Sequence, residues 1–179
     1  MNQLKTGIIA LAFLALPLSS FRSASESTQV NQVKWYSIAE AQQLAKKSPR
    51  KIYIDMYTDW CGWCKVMDEK TFTDAKIIQR LNSDFYAVKF DAEGKEDVVF
   101  KDKTFKFVAQ GGRGYHELAA TLMNGQLSYP TSVFLDEELN LITPLPGYLT
   151  PDRMDPVLEF IGKNHYKTTP WETFLANRN

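Results

Sequence analysis

The two cysteines of this 179-residue chain lie in one tetrapeptide, Cys61-Gly62-Trp63-Cys64. Two thiols separated by two residues can close a small disulfide when they lie on the first turn of a helix. The backbone N–H groups and the dipole at a helix N-terminus stabilise a thiolate, which makes the first sulfur reactive near neutral pH. These residue types at this spacing predict thiol chemistry at Cys61 and Cys64.

The flanking residues predict a helix that starts at this tetrapeptide. Lys51–Tyr57 have the composition of a strand, and Thr58-Asp59-Trp60 form a short connection after it. Residues 61–67 contain no helix breaker after Gly62. The local order is therefore strand, turn, cysteine pair and helix.

A structural disulfide and half of a metal site are the alternative interpretations of the cysteine pair. A disulfide between such close residues removes little chain entropy, which argues against a purely structural bridge. A four-ligand zinc site needs two further ligands, and the histidines that could supply them, His116 and His165, lie far along the chain. We therefore predict redox chemistry without a metal or a cofactor.

Asp55 is a candidate proton carrier, because it lies six residues before Cys61 in an apolar predicted strand. A buried carboxylate is costly unless it has a partner or a chemical role. Burial would raise its pKa and would let it exchange a proton with Cys64. The alternatives are an edge-strand carboxylate and a carboxylate paired with a lysine, for which Lys89 is the candidate.

The N-terminal residues have the features of an export signal. Lys5 precedes an apolar run over 6–16, and small residues follow Pro17. The run is too short to span a membrane comfortably. We predict a signal peptide over 1–25, no membrane span after its cleavage, and a periplasmic or extracellular location.

Length and charge predict one domain that does not bind nucleic acid. Cleavage would leave about 155 residues, a typical domain size. The formal net charge is zero and no basic stripe is present. We expect a monomer with a flexible linker over 26–34, a domain over 35–166 and a C-terminal helical extension over 167–179.

Periodicity and turn residues predict an α/β fold whose central mixed sheet has helices on both faces. A capping box at Ser37 and Glu40 predicts a helix that ends near Lys47. Residues 74–81 either continue the active-site helix or form a second one. The further predicted elements are a strand over 85–90, a hairpin of strands 98–100 and 104–108, a glycine loop over 111–114, a helix over 115–123, strands over 131–135 and 141–143, a break at Pro144, a helix over 150–163 and a short helix from Thr169.

Over about residues 35–163, the chain resembles the thioredoxin superfamily. The resemblance rests on Asp55, on Trp60-Cys61-Gly62-Trp63-Cys64-Lys65, and on Tyr129-Pro130-Thr131 before a predicted strand. The chain is similar to exported thioredoxin-like proteins with a WCGWCK active site. This resemblance implies a three-layer thioredoxin-like fold in which Pro130 is cis and packs beside the disulfide.

The resemblance also implies roles for the site residues. An exposed Cys61 thiolate would attack a substrate disulfide, Cys64 would resolve the mixed disulfide, and Asp55 would carry a proton. A proline that opens a strand leaves the backbone before it free to pair with an extended substrate. The predicted substrate-binding residues are Trp60, Gly62, Trp63, Tyr129, Pro130 and Thr131. Tyr129 is bulkier than the small aliphatic residue expected there, which would narrow substrate choice.

The chain departs from the family pattern between Asp91 and Pro130, where it has about forty residues instead of a short helix. We predict an insertion over about 92–126, before the cis-proline strand, that could form a lid or a partner surface.

The function that these features favour is an exported thiol–disulfide oxidoreductase that reduces protein disulfides. Its partners would be protein substrates and a membrane-bound or soluble thiol electron donor. The alternatives are an oxidase or isomerase of the same fold and a non-catalytic binding module with a structural disulfide. A thiol peroxidase is less favoured, because the usual Pro-x-x-x-Thr/Ser-x-x-Cys pattern lacks its proline before Cys61.

Overall fold

The computed structural model of the protein describes residues 31–178, so the predicted signal peptide and most of the predicted linker lie outside the described residues. The strands are β1 Trp35–Tyr36, β2 Lys51–Tyr57, β3 Phe85–Asp91, β4 Val98–Phe100, β5 Lys103–Phe105, β6 Phe107–Gln110, β7 Arg113–His116, β8 Thr131–Leu135 and β9 Leu141–Pro146. The helices are α1 Ile38–Lys47, α2 Gly62–Lys70, α3 Ala75–Asp84, α4 Glu117–Leu122, α5 Pro151–Gly162 and α6 Trp171–Ala176, and a 3₁₀ helix covers His165–Lys167.

Five strands form the central sheet in the order β1-β3-β2-β8-β9. Strands β1 and β2 run parallel to β3, whereas β8 runs antiparallel to both β2 and β9. The predicted α/β class with a mixed central sheet is confirmed. Strand β2 lies in the middle of the sheet, and its Asp55 is in register with Lys89 of β3 and Ser132 of β8.

The sheet separates two hydrophobic cores, because successive side chains of a strand point to opposite faces. From β2, Ile52, Ile54 and Met56 enter the core that contains α1 and α4. Tyr53 enters the other core, with side chains of α2, α3 and α5. We call these sides of the sheet the α1 face and the α2 face. The alternation places Asp55 on the α2 face, beneath the helix that carries the cysteines.

Side-chain caps set the starts of two helices that position the site. Ser37 accepts a hydrogen bond from the Glu40 N–H, and the Glu40 carboxylate accepts one from the Ser37 N–H, so the predicted capping box is present. Asp74 caps α3 by accepting from the N–H groups of Lys76 and Ile77. Residues 74–81 therefore belong to a second helix, separate from α2.

The insertion contains two hairpins, whereas the sequence predicts one. Strands β4 and β5 form the first hairpin, and β6 and β7 form the second. The predicted strand over 104–108 is wrong as one element, because the chain leaves β5 at Phe105 and starts a new strand at Phe107. Gly111 and Gly112 form the turn of the second hairpin. The predicted helix over 115–123 starts at Glu117, because Tyr115 and His116 pair in β7.

The insertion contributes to the core and does not lie over the sheet as a detached lid. Phe100 and Phe105 of the first hairpin and Leu118 of α4 are buried in the core of the α1 face. The Gln42 side chain of α1 donates to the Val99 carbonyl at 2.9 Å, which fixes β4 to that helix.

Two other sequence predictions need correction. The predicted break at Pro144 is wrong, because β9 continues through Pro144 to Pro146. Strand β9 lies at the edge of the sheet, where a proline that lacks an N–H is tolerated. The predicted flexible linker over 26–34 is attached to the domain at its end, because Val33 is buried and the Lys34 N–H donates to the Asn82 side chain at 2.8 Å.

The C-terminal residues pack against α5. The predicted short helix is present as α6, and its Trp171 and Phe174 rings contact the ring of Phe160, each at 5.0 Å between centroids. Arg178 forms ion pairs with Asp155 and Glu159 of α5. Within residues 31–178, no helix is long and apolar enough to cross a membrane.

We predict that Gly114→Ala destabilises the protein by about 1–3 kcal/mol. A Cβ at Gly114 would lie 2.3 Å from the Phe107 ring and 2.4 Å from the Val108 carbonyl oxygen, so the β6–β7 hairpin would have to open. Urea unfolding followed by circular dichroism measures the change. Gly112→Ala is the matched control, because a Cβ there has no neighbour within 4 Å. Equal stability of the two variants would contradict this packing argument.

Candidate active site

Cys61 and Cys64 form a disulfide at the N-terminus of α2, with an S–S distance of 2.08 Å. Cys61 is the N-cap residue, and its sulfur accepts a hydrogen bond from the Cys64 N–H at 3.1 Å. The predicted strand, turn and helix arrangement is therefore present. The sequence analysis expects an exposed Cys61. In this disulfide form, however, the exposed fraction of Cys61 is 4%, so the residue is buried.

Aromatic side chains surround the buried disulfide. Trp60 and Trp63 are 51% and 61% exposed, respectively. The Trp63 ring stacks on Tyr148 at 5.4 Å, and the Trp60 ring meets Tyr129 edge to face at 6.0 Å. Gly62 lies between the cysteines, with open space where a Cβ would be.

The peptide bond between Tyr129 and Pro130 is cis, as the resemblance implies. The contact of Tyr129 with Trp60 places this peptide near the disulfide. The Pro130 carbonyl accepts from the Gly147 N–H at 2.8 Å, and Gly147 has a φ of 100° that favours glycine. No backbone hydrogen bond involves Tyr129 within residues 31–178.

Thr131 is less available to a substrate than the sequence suggests. Its side chain is buried, and its hydroxyl donates to the Ser128 carbonyl at 2.7 Å. This contact closes the turn that leads into β8. The side chain of Thr131 therefore supports the loop before Pro130, whereas Tyr129 lies at the rim of the site.

Asp55 is buried in the central strand, with an exposed fraction of 1%. Its Oδ2 accepts a hydrogen bond from Lys89 Nζ at 3.0 Å, and its Oδ1 has no hydrogen-bond partner among the described residues. Desolvation raises the pKa of Asp55 to about 6, although the charge of Lys89 opposes the rise. The edge-strand alternative is wrong, whereas the alternative of a carboxylate paired with Lys89 is what the structure shows.

Lys89 joins Asp55 to a second carboxylate, that of Asp68 on α2. Its ammonium also lies 5.1–5.4 Å from the ring centroids of Trp35, Tyr57 and Phe72. Desolvation lowers the pKa of Lys89, but Asp55 and Asp68 together raise it above the ordinary value.

Sequence reasoning did not identify Asp68 as a member of this charged cluster. A spacing signal was present, because Asp68 follows Cys64 by four residues and therefore shares its face of α2.

The insertion adds two side chains to the surroundings of Trp60 that sequence reasoning also missed. Glu93 accepts a hydrogen bond from Trp60 Nε1 at 3.0 Å. The Arg113 guanidinium lies 4.4 Å above the Trp60 ring. These contacts join residues 33 and 53 positions apart, and no local sequence pattern identifies them.

His116 has a structural position. Its Nδ1 accepts from the Leu118 N–H at 3.1 Å and caps α4, which fixes the hydrogen on Nε2, 3.0 Å from the Glu96 carbonyl oxygen. His165 contacts Phe174 in the C-terminal segment. Among residues 31–178, no three His, Cys, Asp or Glu side chains cluster in a way that could hold a metal ion.

A groove of about 800 Å³ lies between β9, α5 and the C-terminal segment, and apolar side chains form most of its lining. It contains none of the predicted site residues. We therefore place the candidate active site at the disulfide and not in this groove.

Comparison with known proteins agrees with the fold. The family model Thioredox_DsbH, described as "Protein of unknown function, DUF255", matches residues 19–162. Protein B0495.5 of Caenorhabditis elegans is 32% identical over 133 residues, which are 73% of this chain and 16% of that protein. Thiol:disulfide interchange protein DsbD of Actinobacillus pleuropneumoniae is 36% identical over 64 residues, which are 35% of this chain and 11% of DsbD. The chain thus spans a small part of these relatives.

Solved structures share the same fold. A structure titled DsbH Oxidoreductase has a TM-score of 0.52 at 17% identity and covers 84% of this chain and 95% of its own. The thioredoxin of Thermus thermophilus has a TM-score of 0.54 at 16% identity and covers 73% of this chain and 87% of its own. The resemblance to the thioredoxin superfamily and the thioredoxin-like fold are confirmed.

We predict that Asp55→Asn stabilises the oxidised protein at pH 8 by up to about 3 kcal/mol. The pKa of Asp55 rises from 3.8 to about 6 on folding, so the wild type loses stability as the pH rises through this window. An asparagine does not ionise and avoids that loss. The stabilisation should therefore disappear near pH 4.

Urea unfolding at pH 4 and pH 8 measures this difference. Asp59→Asn is the control, because Asp59 is exposed, and it should change stability little at either pH. An Asp55→Asn protein that is less stable than the wild type at pH 8 would contradict the proposed cost of the buried charge.

Proposed function

We propose that this chain, which belongs to the Thioredox_DsbH family, is an exported thiol–disulfide oxidoreductase that reduces protein disulfides. The observation that carries the proposal is the Cys61–Cys64 disulfide at the N-terminus of α2, where a backbone N–H already contacts the Cys61 sulfur. An amide aimed at this atom favours the thiolate over the thiol. Cys61 is accordingly the nucleophile.

The proposed reaction exchanges one disulfide for another. In the dithiol form, the Cys61 thiolate attacks one sulfur of the substrate disulfide, that S–S bond breaks, and the released substrate thiolate takes a proton. The Cys64 thiolate then attacks the Cys61 sulfur, and the second substrate thiol leaves. Two electrons and two protons pass to the substrate, and the Cys61–Cys64 disulfide remains.

Asp55 serves this second step as the proton acceptor. Cys64 is buried and must lose its proton before it can attack, and it lies on the helix that packs over the face of the sheet where Asp55 lies. Burial raises the pKa of Asp55 to about 6, which is close to neutral pH and therefore suits proton transfer. When the Asp55 carboxylate is ionised, the positive charge of Lys89 lies beside it.

The substrate binds beside the cis peptide. Tyr129 presents a backbone without hydrogen-bond partners in the described chain, and an extended substrate segment can pair with it. Trp60, before Cys61, and Trp63, between the two cysteines, supply exposed aromatic surface. Pro130 and Thr131 hold this loop in place, and Gly62 leaves room for the substrate.

A thiol electron donor must return the disulfide to the dithiol after each turnover. If the protein is exported, it works in an oxidising compartment, and the electrons for its reduction have to come from outside that compartment. The similarity to a protein named thiol:disulfide interchange protein DsbD favours a dithiol relay of that class. An oxidase or isomerase with the same cysteine pair would have a less negative reduction potential than the proposed reductase.

We predict that Cys61→Ser lowers the rate of insulin disulfide reduction at least a hundredfold, because the nucleophile is lost. Cys64→Ser should also stop turnover, but it should accumulate a mixed disulfide between Cys61 and the substrate that dithiothreitol releases. Mass spectrometry of the trapped species measures this difference.

Both variants lose the Cys61–Cys64 disulfide, so a purely structural disulfide predicts the same effect for the two. Different products from the two variants therefore indicate separate catalytic roles for the cysteines. Equal activity of the wild type and Cys61→Ser would favour a binding module. A mixed disulfide at Cys64 and not at Cys61 would contradict the assigned roles.

We predict that Asp55→Asn slows turnover at pH 7 by about ten- to a hundredfold. Asp55 accepts a proton only when ionised, so the wild-type rate should rise as the pH passes through about 6. The variant should lose this rise, because asparagine does not titrate. Stopped-flow fluorescence of Trp60 and Trp63 measures the profile, and an unchanged rise in the variant would exclude Asp55 as the acceptor.

A further inference from the structure

Arg113 occupies the end of the β6–β7 hairpin that reaches the active site. Its guanidinium lies 4.4 Å above the ring of Trp60, the residue directly before Cys61. Trp60 is also held by its hydrogen bond to Glu93 and by its contact with Tyr129. The insertion therefore supplies a cation beside Trp60, the residue that precedes the disulfide in the chain.

The hairpin that carries Arg113 is fixed to the domain. The His116 N–H donates to the Ala92 carbonyl at 2.7 Å, and the Glu117 N–H donates to the Lys106 carbonyl at 2.9 Å. The buried His116 ring packs against Phe90 of the central sheet at 5.2 Å. These contacts connect the open end of the second hairpin to the sheet, and its turn end, with Arg113, lies at Trp60.

Arg113 has donors available for a ligand. It forms no ion pair with any side chain of residues 31–178. A guanidinium that stacks one face on a ring keeps its N–H groups in the plane, where they can bind both oxygens of a carboxylate. Arg113 is exposed, so such a ligand can reach it.

Three carboxylates, those of Asp59, Asp91 and Glu93, belong to the surroundings of Trp60. Glu93 accepts a hydrogen bond from the indole of Trp60. Partial burial raises the pKa of Asp91, and the negative charges of Asp59 and Glu93 raise it further. These three carboxylates would repel an acidic substrate if Arg113 were absent. Arg113 brings a positive charge to this group of carboxylates.

We propose that Arg113 is a specificity-determining residue that binds an acidic side chain next to the target cysteine of a polypeptide substrate. This inference rests on the proposed function and adds the substrate class to it. The insertion thus forms one wall of the substrate site and selects protein disulfides by the charge beside them. A small neutral disulfide does not reach Arg113 and is not selected.

The test compares three peptide disulfides that carry Asp, Asn or Lys next to the target cysteine, with 2-hydroxyethyl disulfide as the small substrate. For the wild type, kcat/KM should fall in the order Asp, Asn, Lys. Arg113→Ala should lower kcat/KM for the Asp peptide about fivefold, and Arg113→Glu should reverse the order. Each peptide rate is divided by the rate of the same variant with 2-hydroxyethyl disulfide, so that any effect of the removed charge on Cys61 itself cancels.

Lys103→Ala is the matched control, because Lys103 is another insertion cation that lies over an aromatic ring, that of Phe105 at 4.7 Å. It should preserve the wild-type order of the three peptides. The proposal is overturned if Arg113→Ala keeps that order, or if its rate with 2-hydroxyethyl disulfide falls in parallel with the peptide rates.

A binding measurement separates this proposal from the proposed function. The double variant Cys61→Ser, Cys64→Ser cannot exchange disulfides, but tryptophan fluorescence can still report its binding of the three peptides. A preference for the Asp peptide that disappears with Arg113→Ala supports the role of Arg113 even if the wild type proves inactive. Equal binding of all three peptides by the double variant would overturn it.

Discussion

The hydrogen bond from the Cys64 N–H to the Cys61 sulfur is the contact around which the site is built. It makes a cysteine the N-cap of α2, so the first turn of the helix and the disulfide occupy the same residues. Because β2 lies in the middle of the sheet and leads directly into this turn, the sulfurs are held at the end of a buried central strand. The amides that stabilise the helix start also stabilise negative charge on Cys61. Reactivity and helix capping therefore have one physical origin.

A second constraint follows from the carboxylate beneath this helix. Asp55 is buried and one of its oxygens has no partner among residues 31–178, so its charged form is destabilised. Lys89 offsets part of this cost, and Asp68 of α2 joins the same ammonium. The helix that carries the cysteines is thereby linked electrostatically to the central strand. The charged form of Asp55 therefore costs stability at neutral pH, and in the proposed mechanism this carboxylate accepts the proton of Cys64.

The sequence predicted those features that depend on short spacings. The cysteine pair, the Ser37 cap and the buried Asp55 all have local signals, and each was located correctly. The strand break predicted at Pro144 is wrong because a proline is tolerated in an edge strand. Which strand lies at the edge depends on the tertiary fold and not on the local sequence. Strand β1 was not predicted, because its two residues are too few to show the alternation of apolar and polar side chains that identifies a strand. The contact of Arg113 with Trp60 joins positions that only the fold brings together, and no pattern in the insertion could have indicated it.

The reduction potential of the Cys61–Cys64 pair tests the proposed direction of electron flow most directly. Equilibration of the protein with glutathione or dithiothreitol buffers of known ratio, followed by the fluorescence of the adjacent tryptophans, gives this value. A reductase requires a potential near that of thioredoxin, about −270 mV. A potential of about −120 to −180 mV would place the pair among oxidants and isomerases and would contradict the account.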